Sequence, residues 1–398
     1  MDKRKFTGSF TQQEPLSDAA INAATAVLQS GRLHRYNLTP GELGEVALLE
    51  QEFAAWQGSR YCLAVASGGQ AIQISLRAAG AEANDLVLTN AFTLAPVPGA
   101  IHAVGARPIL VEDDEDLRLD FDDLARKAET SGARFLLLSH MRGHLCDMDR
   151  LAELATQFKL TVIEDCAHTM GATWNGIRSG NFGLVGCFST QTYKHINSGE
   201  GGLLTSNDPD FMARATMLSG SYMLYGRHGA GPDAEHFAEA RYTMPNMSAR
   251  MDALRAAILR PQIALLDENV ARWNRRYLAV AAELAKSNRI VCPVRPEAEG
   301  MVGSSIQFRV PDLGEAGCRE VVERARLRGV ELKWFGGAEP EGFTSAHQSW
   351  RYVDRQQLPQ TDRVLATLFD MRLPLTFSQR DCSLIGQIIC EEVGEVRQ

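Results

Sequence analysis

Two short apolar runs near the middle of the chain constrain its fold more than any other feature. Leu160 to Ile163 runs directly into two acids, Glu164 and Asp165. Leu184 to Phe188 runs into a hydroxyl, Ser189, then a lysine, Lys194, with Gly199, Gly201 and Gly202 close behind. Runs this short, bounded by turn residues, read as strands buried on both faces. Similar runs alternate with helical stretches over most of the chain, which indicates a mainly parallel sheet covered on both sides. The expected fold class is α/β, with a large domain built on that sheet and a smaller α+β C-terminal domain. Working groups in such folds stand just beyond the carboxyl ends of strands.

An acid and a lysine delivered by two such strands suit pyridoxal phosphate. A lysine amine condenses with the cofactor's aldehyde, and a carboxylate keeps the pyridine nitrogen protonated so that the ring withdraws electrons. On spacing alone this reading competes evenly with an exposed Lys194 and a helix-capping Asp165. Upstream, S-G-G-Q (67 to 70) sets glycines before a helix that begins near Gln70. The free N–H groups and positive dipole end of such a helix suit a phosphate.

The wording of these segments is more specific than their spacing. E-D-C-A-H (164 to 168), F-S-T-Q-T-Y-K (188 to 194) and S-G-E-G-G (198 to 202) follow one another in order. Together they resemble the DegT/DnrJ/EryC1/StrS family of sugar aminotransferases, a branch of the fold-type I pyridoxal-phosphate enzymes. The resemblance covers about residues 15 to 265 well and the remainder loosely. Its wording is nearest to the branch acting on keto-cyclitols such as inososes.

The resemblance implies a pyridoxal-phosphate-dependent aminotransferase that moves an amino group from L-glutamate or L-glutamine to a keto-sugar or keto-cyclitol in a biosynthetic pathway. Lys194 would hold the cofactor and shuttle the proton, and Asp165 would face the ring nitrogen. His168 and Phe92 would pack on opposite faces of the ring. Ser189 and the Gly68–Gly69 backbone would anchor the phosphate. Threonine is usual where this chain has Gly69, so Ser67 or Gln70 would have to compensate. The family's N-Y-R-M signature aligns on Arg250 and Met251, which puts Ser248 at the usual asparagine position and Asn246 two residues earlier. One of these two would reach the cofactor phosphate of a partner subunit. The family builds its site across a dimer interface, so a homodimer is expected. A lyase or dehydratase of the same fold and a non-catalytic sensor on that scaffold are the competing readings. Lys194 counts against the first, because dehydrating members often carry histidine there. The complete set Asp165, Ser189 and Lys194 counts against the second.

Three arginines are candidate readers of an anionic substrate group. Arg32 and Arg35, with Tyr36, lie in a loop that approaches the site in the resembling family. Arg142 replaces the tyrosine of the family's H-L-Y-G, and it either binds a carboxylate or phosphate or pairs with an acid such as Asp147. A long helical stretch, Met251 to Leu284, broken or kinked at Pro261, sets the expected division into residues 1–265 and 266–398.

Composition excludes several other classes. A formal charge of -8 and the absence of a basic run argue against nucleic acid or an anionic membrane as partner. The eight cysteines include no C-x-x-C pair, so neither a metal site nor a disulfide scaffold is expected, and a reducing, cytoplasmic location fits. Leu86 to Ala106 lacks formally charged side chains but is interrupted by Asn90, Pro96, Pro98 and His102, so no membrane span is expected.

Overall fold

The computed structural model describes residues 3–397 apart from 40 and 345. Helices α1 (Asp18–Ser30) and α2 (Glu45–Gln57) lead into β1 (Tyr61–Val65). Helices and strands then alternate through α3 (Gly68–Ala78), β2 (Leu86–Asn90), α4 (Pro96–Ala103), β3 (Arg107–Val111) and α5 (Phe121–Ser131). The series continues with β4 (Phe135–Ser139), α6 (Met148–Phe158) and β5 (Thr161–Asp165). A small hairpin, β6 (Thr173–Trp174) and β7 (Ile177–Arg178), precedes β8 (Val185–Ser189) and β9 (Gly202–Ser206).

Seven of these strands form one sheet in the order β1-β9-β8-β5-β4-β2-β3. The pairs β3–β2, β2–β4, β4–β5 and β5–β8 are parallel, and β9 alone runs against its neighbours β8 and β1. The parallel strands earn their place by being apolar on both faces: every residue of β4 and of β8 is buried. Reversal of β9 brings its first residue, Gly202, level with Val65 and Ser189, the last residues of β1 and β8. A Cβ on Gly202 would collide with the Ser67–Gly68 backbone, so only glycine lets β9 approach the start of α3. Three strand ends and one helix start therefore meet at a single point above the sheet.

Helices α7 (Pro209–Ser219) and α8 (Phe237–Thr243) follow. The glycine-rich segment between them, irregular by sequence, contains two 3₁₀ turns, Tyr222–Arg227 and Ala234–His236. The long helical stretch after it is two helices, α9 (Ala253–Ile263) and α10 (Leu266–Leu284). Pro261 sits inside α9 and removes one backbone donor, and the break falls just beyond it at Ala264 and Leu265.

The remaining chain supplies β10 (Glu299–Gly300), which joins the hairpin β6–β7, and β11 (Ser305–Arg309). Then come α11 (Glu315–Leu327), β12 (Lys333–Trp334), α12 (Pro359–Leu365), β13 (Leu368–Arg372) and α13 (Gln379–Glu395). Strands β11, β13 and β12 form a second, antiparallel sheet, and α10, α11 and α13 cover it around Val280, Phe308, Phe369 and Ile389. The first residues of the chain belong to this second core. Phe6 and Phe10 are buried against Phe377, and the Phe6 N–H donates to the Arg328 carbonyl at 2.8 Å. The segment Leu86 to Ala106 is β2, a turn and α4; among the described residues no helix is long and apolar enough to cross a membrane.

Two of the arginines read from sequence as anion binders have internal partners instead. Arg32 pairs with Glu42 on the surface. Arg35 is buried and makes a two-pronged bond to Glu50, at 2.9 and 3.0 Å, while His228 touches both Arg35 and Tyr36. Glu50 also accepts the Ala64 N–H, which ties α2 to β1. The reason is desolvation: an arginine buried this deeply needs a carboxylate at hand, and Glu50 lies one helix away. Replacing Arg35 with alanine strands that carboxylate and is expected to cost roughly 3 to 5 kcal/mol of stability, read as a lower urea midpoint. An unchanged midpoint would show that the pair holds nothing together.

Candidate active site

The strand ends frame a cavity of about 400 Å³. Its floor comes from β4, β5 and β8, its phosphate-sized corner from the start of α3, and its opposite wall from the second sheet. Asp165 closes β5 and faces the cavity; Glu164, one residue earlier, faces away, as alternation along a strand requires. The Ala167 N–H donates to Asp165 at 3.1 Å and the Ser139 hydroxyl donates at 3.2 Å. Thr93 donates to Ser139 in turn at 2.8 Å, and the Ser139 N–H is held by Asn90. Burial pushes the Asp165 carboxyl above its ordinary range, while the Ala167 N–H and the charge of Lys194 pull it back down.

Lys194 sits in the loop between β8 and β9. That loop is laced to itself: the Thr190 N–H bonds Gly201, Ser198 bonds Thr190, and the Lys194 N–H bonds Gln191. The lysine amine lies 2.9 Å from His168 Nε2. The Arg142 N–H approaches the other ring nitrogen, Nδ1, at 3.4 Å. A ring that accepts at Nδ1 carries its proton on Nε2, which then donates to the lone pair of a neutral Lys194. The electrostatics agree. Burial lowers Lys194 to about 7, aided by the charges of Arg142, Lys333 and Arg372, and burial holds His168 well below its ordinary value.

Ser67 caps α3 by accepting the Gln70 N–H at 3.1 Å. Gly68 and Gly69 open the first turn, where the helix has no internal partners for their N–H groups. A Cβ at Gly68 would press on Ser189 at 2.9 Å, so this corner is shaped by close contact of the two loops. A Cβ at Gly69 would meet only Ser67 Oγ at 3.9 Å, leaving room beside the helix start.

Ser67, Gly68, Gly69, Asp165, His168, Ser189 and Lys194 thus line one cavity. Gln191 lines it too, its Oε1 held by the Tyr193 N–H at 2.9 Å. Gln70 does not, so its side chain offers no substitute for a hydroxyl at position 69. Phe92 is a correction: it is buried edge-on against Phe335 in an apolar cluster with Leu117 and Leu368. Its N–H donates to Asp113, which fixes the loop so that Thr93 and Leu94, not Phe92, reach the cavity. Asn246 and Ser248 lie outside this cavity on the exposed surface, with Asn246 accepting from the Ser248 N–H and hydroxyl. Arg142 lines the cavity and is paired not with Asp147, which caps α6, but with Asp370 at 3.0 Å. His195, next to the lysine, turns away to Ser304 and Trp273.

Sequence reading missed Thr93, Leu94, Ser139, Tyr193, Lys333 and Arg372, all of which line the cavity. The hydroxyl that ends β4 in L-L-L-S was the one available signal; the others carry no local pattern. Three buried groups, His140, Glu164 and Cys166, stand close enough to suggest a metal, but Glu164 is already taken by the N–H groups of Gly180, Phe182 and Gly183 and by His140.

The donor set fits pyridoxal phosphate on its own chemistry: an amine of depressed basicity, a buried carboxylate held by two donors, an imidazole beside the amine, and a glycine-led helix start for the phosphate. The fold and this constellation define an α/β protein with a cavity suited to that cofactor. The signature of the DegT/DnrJ/EryC1/StrS aminotransferase family spans residues 16–387, and the chain belongs to that family. It is 36% identical over 270 residues to a dTDP-3-amino-3,4,6-trideoxy-alpha-D-glucose transaminase of Streptomyces venezuelae, covering 67% of this chain and 64% of the relative. It is 30% identical over 258 residues to an L-glutamine:scyllo-inosose aminotransferase of Streptomyces griseus, covering 65% and 61%. The sequence matches thus span under two thirds of these relatives' lengths. In structure it resembles 3-amino-5-hydroxybenzoic acid synthase, with a TM-score of 0.83, 25% identity, and coverage of 98% of this chain and 100% of the other.

Two predictions follow from the geometry of these residues. Because Lys194 loses its proton at about 7 instead of 10.5, attachment of added pyridoxal phosphate to apoprotein is expected to accelerate with pH only up to about 7 and then level off. Stopped-flow absorbance would show this; a rate still climbing at pH 9 would mean an ordinary lysine. The room at Gly69 admits a threonine, and removing a helical glycine is expected to add roughly 0.5 kcal/mol of stability. Slower cofactor loss from Gly69→Thr during dialysis would show that the new hydroxyl faces the phosphate.

Proposed function

We propose that this aminotransferase takes its amino group from L-glutamate or L-glutamine and passes it to the ketone of a cyclic, sugar-like or cyclitol-like acceptor. The observation that carries this reading is the depressed amine of Lys194 facing Asp165 and His168 in one cavity. Pyridoxal phosphate supplies, when bound, an aldehyde that accepts the amino group and a ring that takes up the electrons of the breaking C–H bond.

The chain's own residues do the rest. Lys194 would hold the cofactor, and its free amine, neutral at physiological pH, would be able to take and return the proton at the reacting carbon. His168 Nε2 positions that amine. Asp165, held by Ser139 and Ala167, keeps a positive charge on the ring nitrogen, and this contact restores the ionised form that burial alone disfavours. Ser67, Ser189 and the first N–H groups of α3 grip the phosphate. Leu94, Ile72 and Val97 keep water from the reacting face.

We assign residues 1–265 and 266–398 to two units, with the N-terminal arm through Phe10 attached to the second. We also assign a homodimer. Tyr222, Met223 and Tyr242 are large apolar residues left exposed near the surface that carries Asn246 and Ser248. A second copy covering that face would bring one of these two polar residues to the partner's phosphate.

Purified protein should carry an absorption band of lysine-bound cofactor, which L-glutamate or L-glutamine converts to that of the amine form; Lys194→Ala should show neither. Indifference to both donors would leave the lyase reading standing, and a protein that retains no cofactor would leave the sensor. Light scattering at micromolar concentration should give twice the chain mass, and a fully active monomer would defeat the shared site.

A further inference from the structure

One wall of the cavity carries three cations that the cofactor does not need. Arg142 comes from the loop after β4, Lys333 from β12 and Arg372 from the end of β13. A single buried acid, Asp370, stands among them, 3.0 Å from Arg142 Nη2 and 3.6 Å from Lys333 Nζ. Its other oxygen is occupied by the Gln307 amide at 2.8 Å. Among the described residues Arg372 has no carboxylate partner; its guanidinium lies on the Tyr193 ring at 3.7 Å from the centroid. Among the described residues the cavity wall holds one further acid besides Asp165, Glu200, and it is exposed.

Arg142 is the most telling of the three. Its side chain is 5% exposed, yet Nε and Nη2 complete no hydrogen bond, and the contact with Asp370 is a charge pair without bonding geometry. Its backbone is held at φ 56, in the left-handed region that arginine rarely adopts. Buried guanidinium donors left unmet are costly, and strain kept at a cavity wall points to a use for that side chain. Asp165 is engaged elsewhere, so the wall carries a surplus of positive charge facing whatever occupies the cavity.

We propose that the ketone acceptor carries an anionic substituent, a carboxylate or a phosphate monoester, on the ring that bears the ketone, and that Arg142, Arg372 and Lys333 bind it. This rests on the transaminase reading above. The Arg142 N–H reaches His168, whose other nitrogen touches Lys194, and Lys333 and Arg372 line the same cavity, so the anion they meet belongs to the reacting ring and not to a remote appendage. A planar guanidinium with two free donors matches a two-oxygen anion bidentately. A neutral keto-cyclitol would leave those donors unpaired and would be selected against for that reason. An amino-acid donor also brings a carboxylate, but donor and acceptor occupy the cavity in turn, so the same wall serves each.

The test isolates the acceptor half of the cycle. Apoprotein is loaded with pyridoxamine phosphate, so no donor is required, and is mixed with 3-oxocyclohexanecarboxylate, 3-oxocyclohexyl phosphate or uncharged 3-hydroxycyclohexanone. Gain of the lysine-bound band is followed at subsaturating ketone. One of the anionic ketones should react faster than the neutral one by on the order of a hundredfold, the factor that a buried charged contact carries. The faster arm tells carboxylate from phosphate. Arg142→Gln and Arg372→Gln, each shown to retain pyridoxamine phosphate, should collapse that ratio through KM. A neutral ketone that matches both anionic ones, or a ratio untouched by either variant, overturns the proposal and leaves the wall to the amino donor. If no ketone of any charge reacts and L-glutamate also fails to convert the pyridoxal-loaded protein, the transaminase reading itself has failed, and this one with it.

Discussion

Two neighbouring carboxylates are taken out of water at the end of β5, and the architecture around them follows from how each is compensated. Glu164 faces one side of the sheet and receives three backbone N–H groups from the turn at Gly180 to Gly183, together with His140. Asp165 faces the other side and receives the Ser139 hydroxyl and the Ala167 N–H. An unmet buried carboxylate costs several kcal/mol, so neither the turn nor the end of β4 is free to shift. The strand's alternation thus does two separate jobs: one acid locks the scaffold, and the other is presented, under-compensated, to the cavity. Asp165 keeps a raised proton affinity despite these donors, and a protonated ring nitrogen of the proposed cofactor would supply the charge that favours its ionised form.

The same strand end organises the seam with the second sheet. In the loop after β4, alternate residues reach in turn to different parts of the structure. His140 binds Glu164, Arg142 meets Asp370 on β13, and His144 Nε2 binds Gln307 on β11 at 2.8 Å. Arg295 adds a bond to the Gly143 carbonyl and a charge pair to Glu299, which in turn accepts the Leu145 N–H. This seam is polar and bonded at nearly every residue, unlike the apolar cores on either side of it. It holds the cationic wall at a set distance from Lys194, and so the depth of the lysine's pKa shift depends on contacts made by residues far from it in sequence.

Local punctuation explains what could be read without coordinates. Asp165 and Ser189 each close a short apolar run, Lys194 follows in the loop after the second, and Gly68 with Gly69 opens a helix after another, so their meeting at one end of the sheet follows from its strand order. The errors arose where long-range partners decide direction. Phe92 and Leu94 are two residues apart in an irregular loop, and only the bond from the Phe92 N–H to Asp113 determines which of them turns toward the cavity. Arg35 read as a candidate anion binder because Glu50 and His228, its partners, lie in other elements. Lys333 and Arg372 come from a two-residue strand and a strand end in the second sheet, where nothing adjacent in sequence announces a cavity. The docking of the N-terminal arm has no local sign for the same reason, since Phe6 and Phe10 find their core against Phe377 at the far end of the chain.

The cationic wall and the base are coupled. Burial lowers the proton affinity of Lys194, and Arg142, Lys333 and Arg372 lower it further, which leaves the amine neutral and nucleophilic while the wall is bare. An anion seated on that wall cancels part of the field, and the proton affinity of Lys194 then rises. The amine is therefore poorest as a base when no substrate is present and strongest when the anionic end of one is in place. Coulomb's law requires the converse as well: protonating Lys194 adds a fourth positive charge facing the anion and tightens its hold at the moment the proton is in transit. A neutral acceptor forgoes both effects, so the charge of the wall bears on rate as well as on recognition.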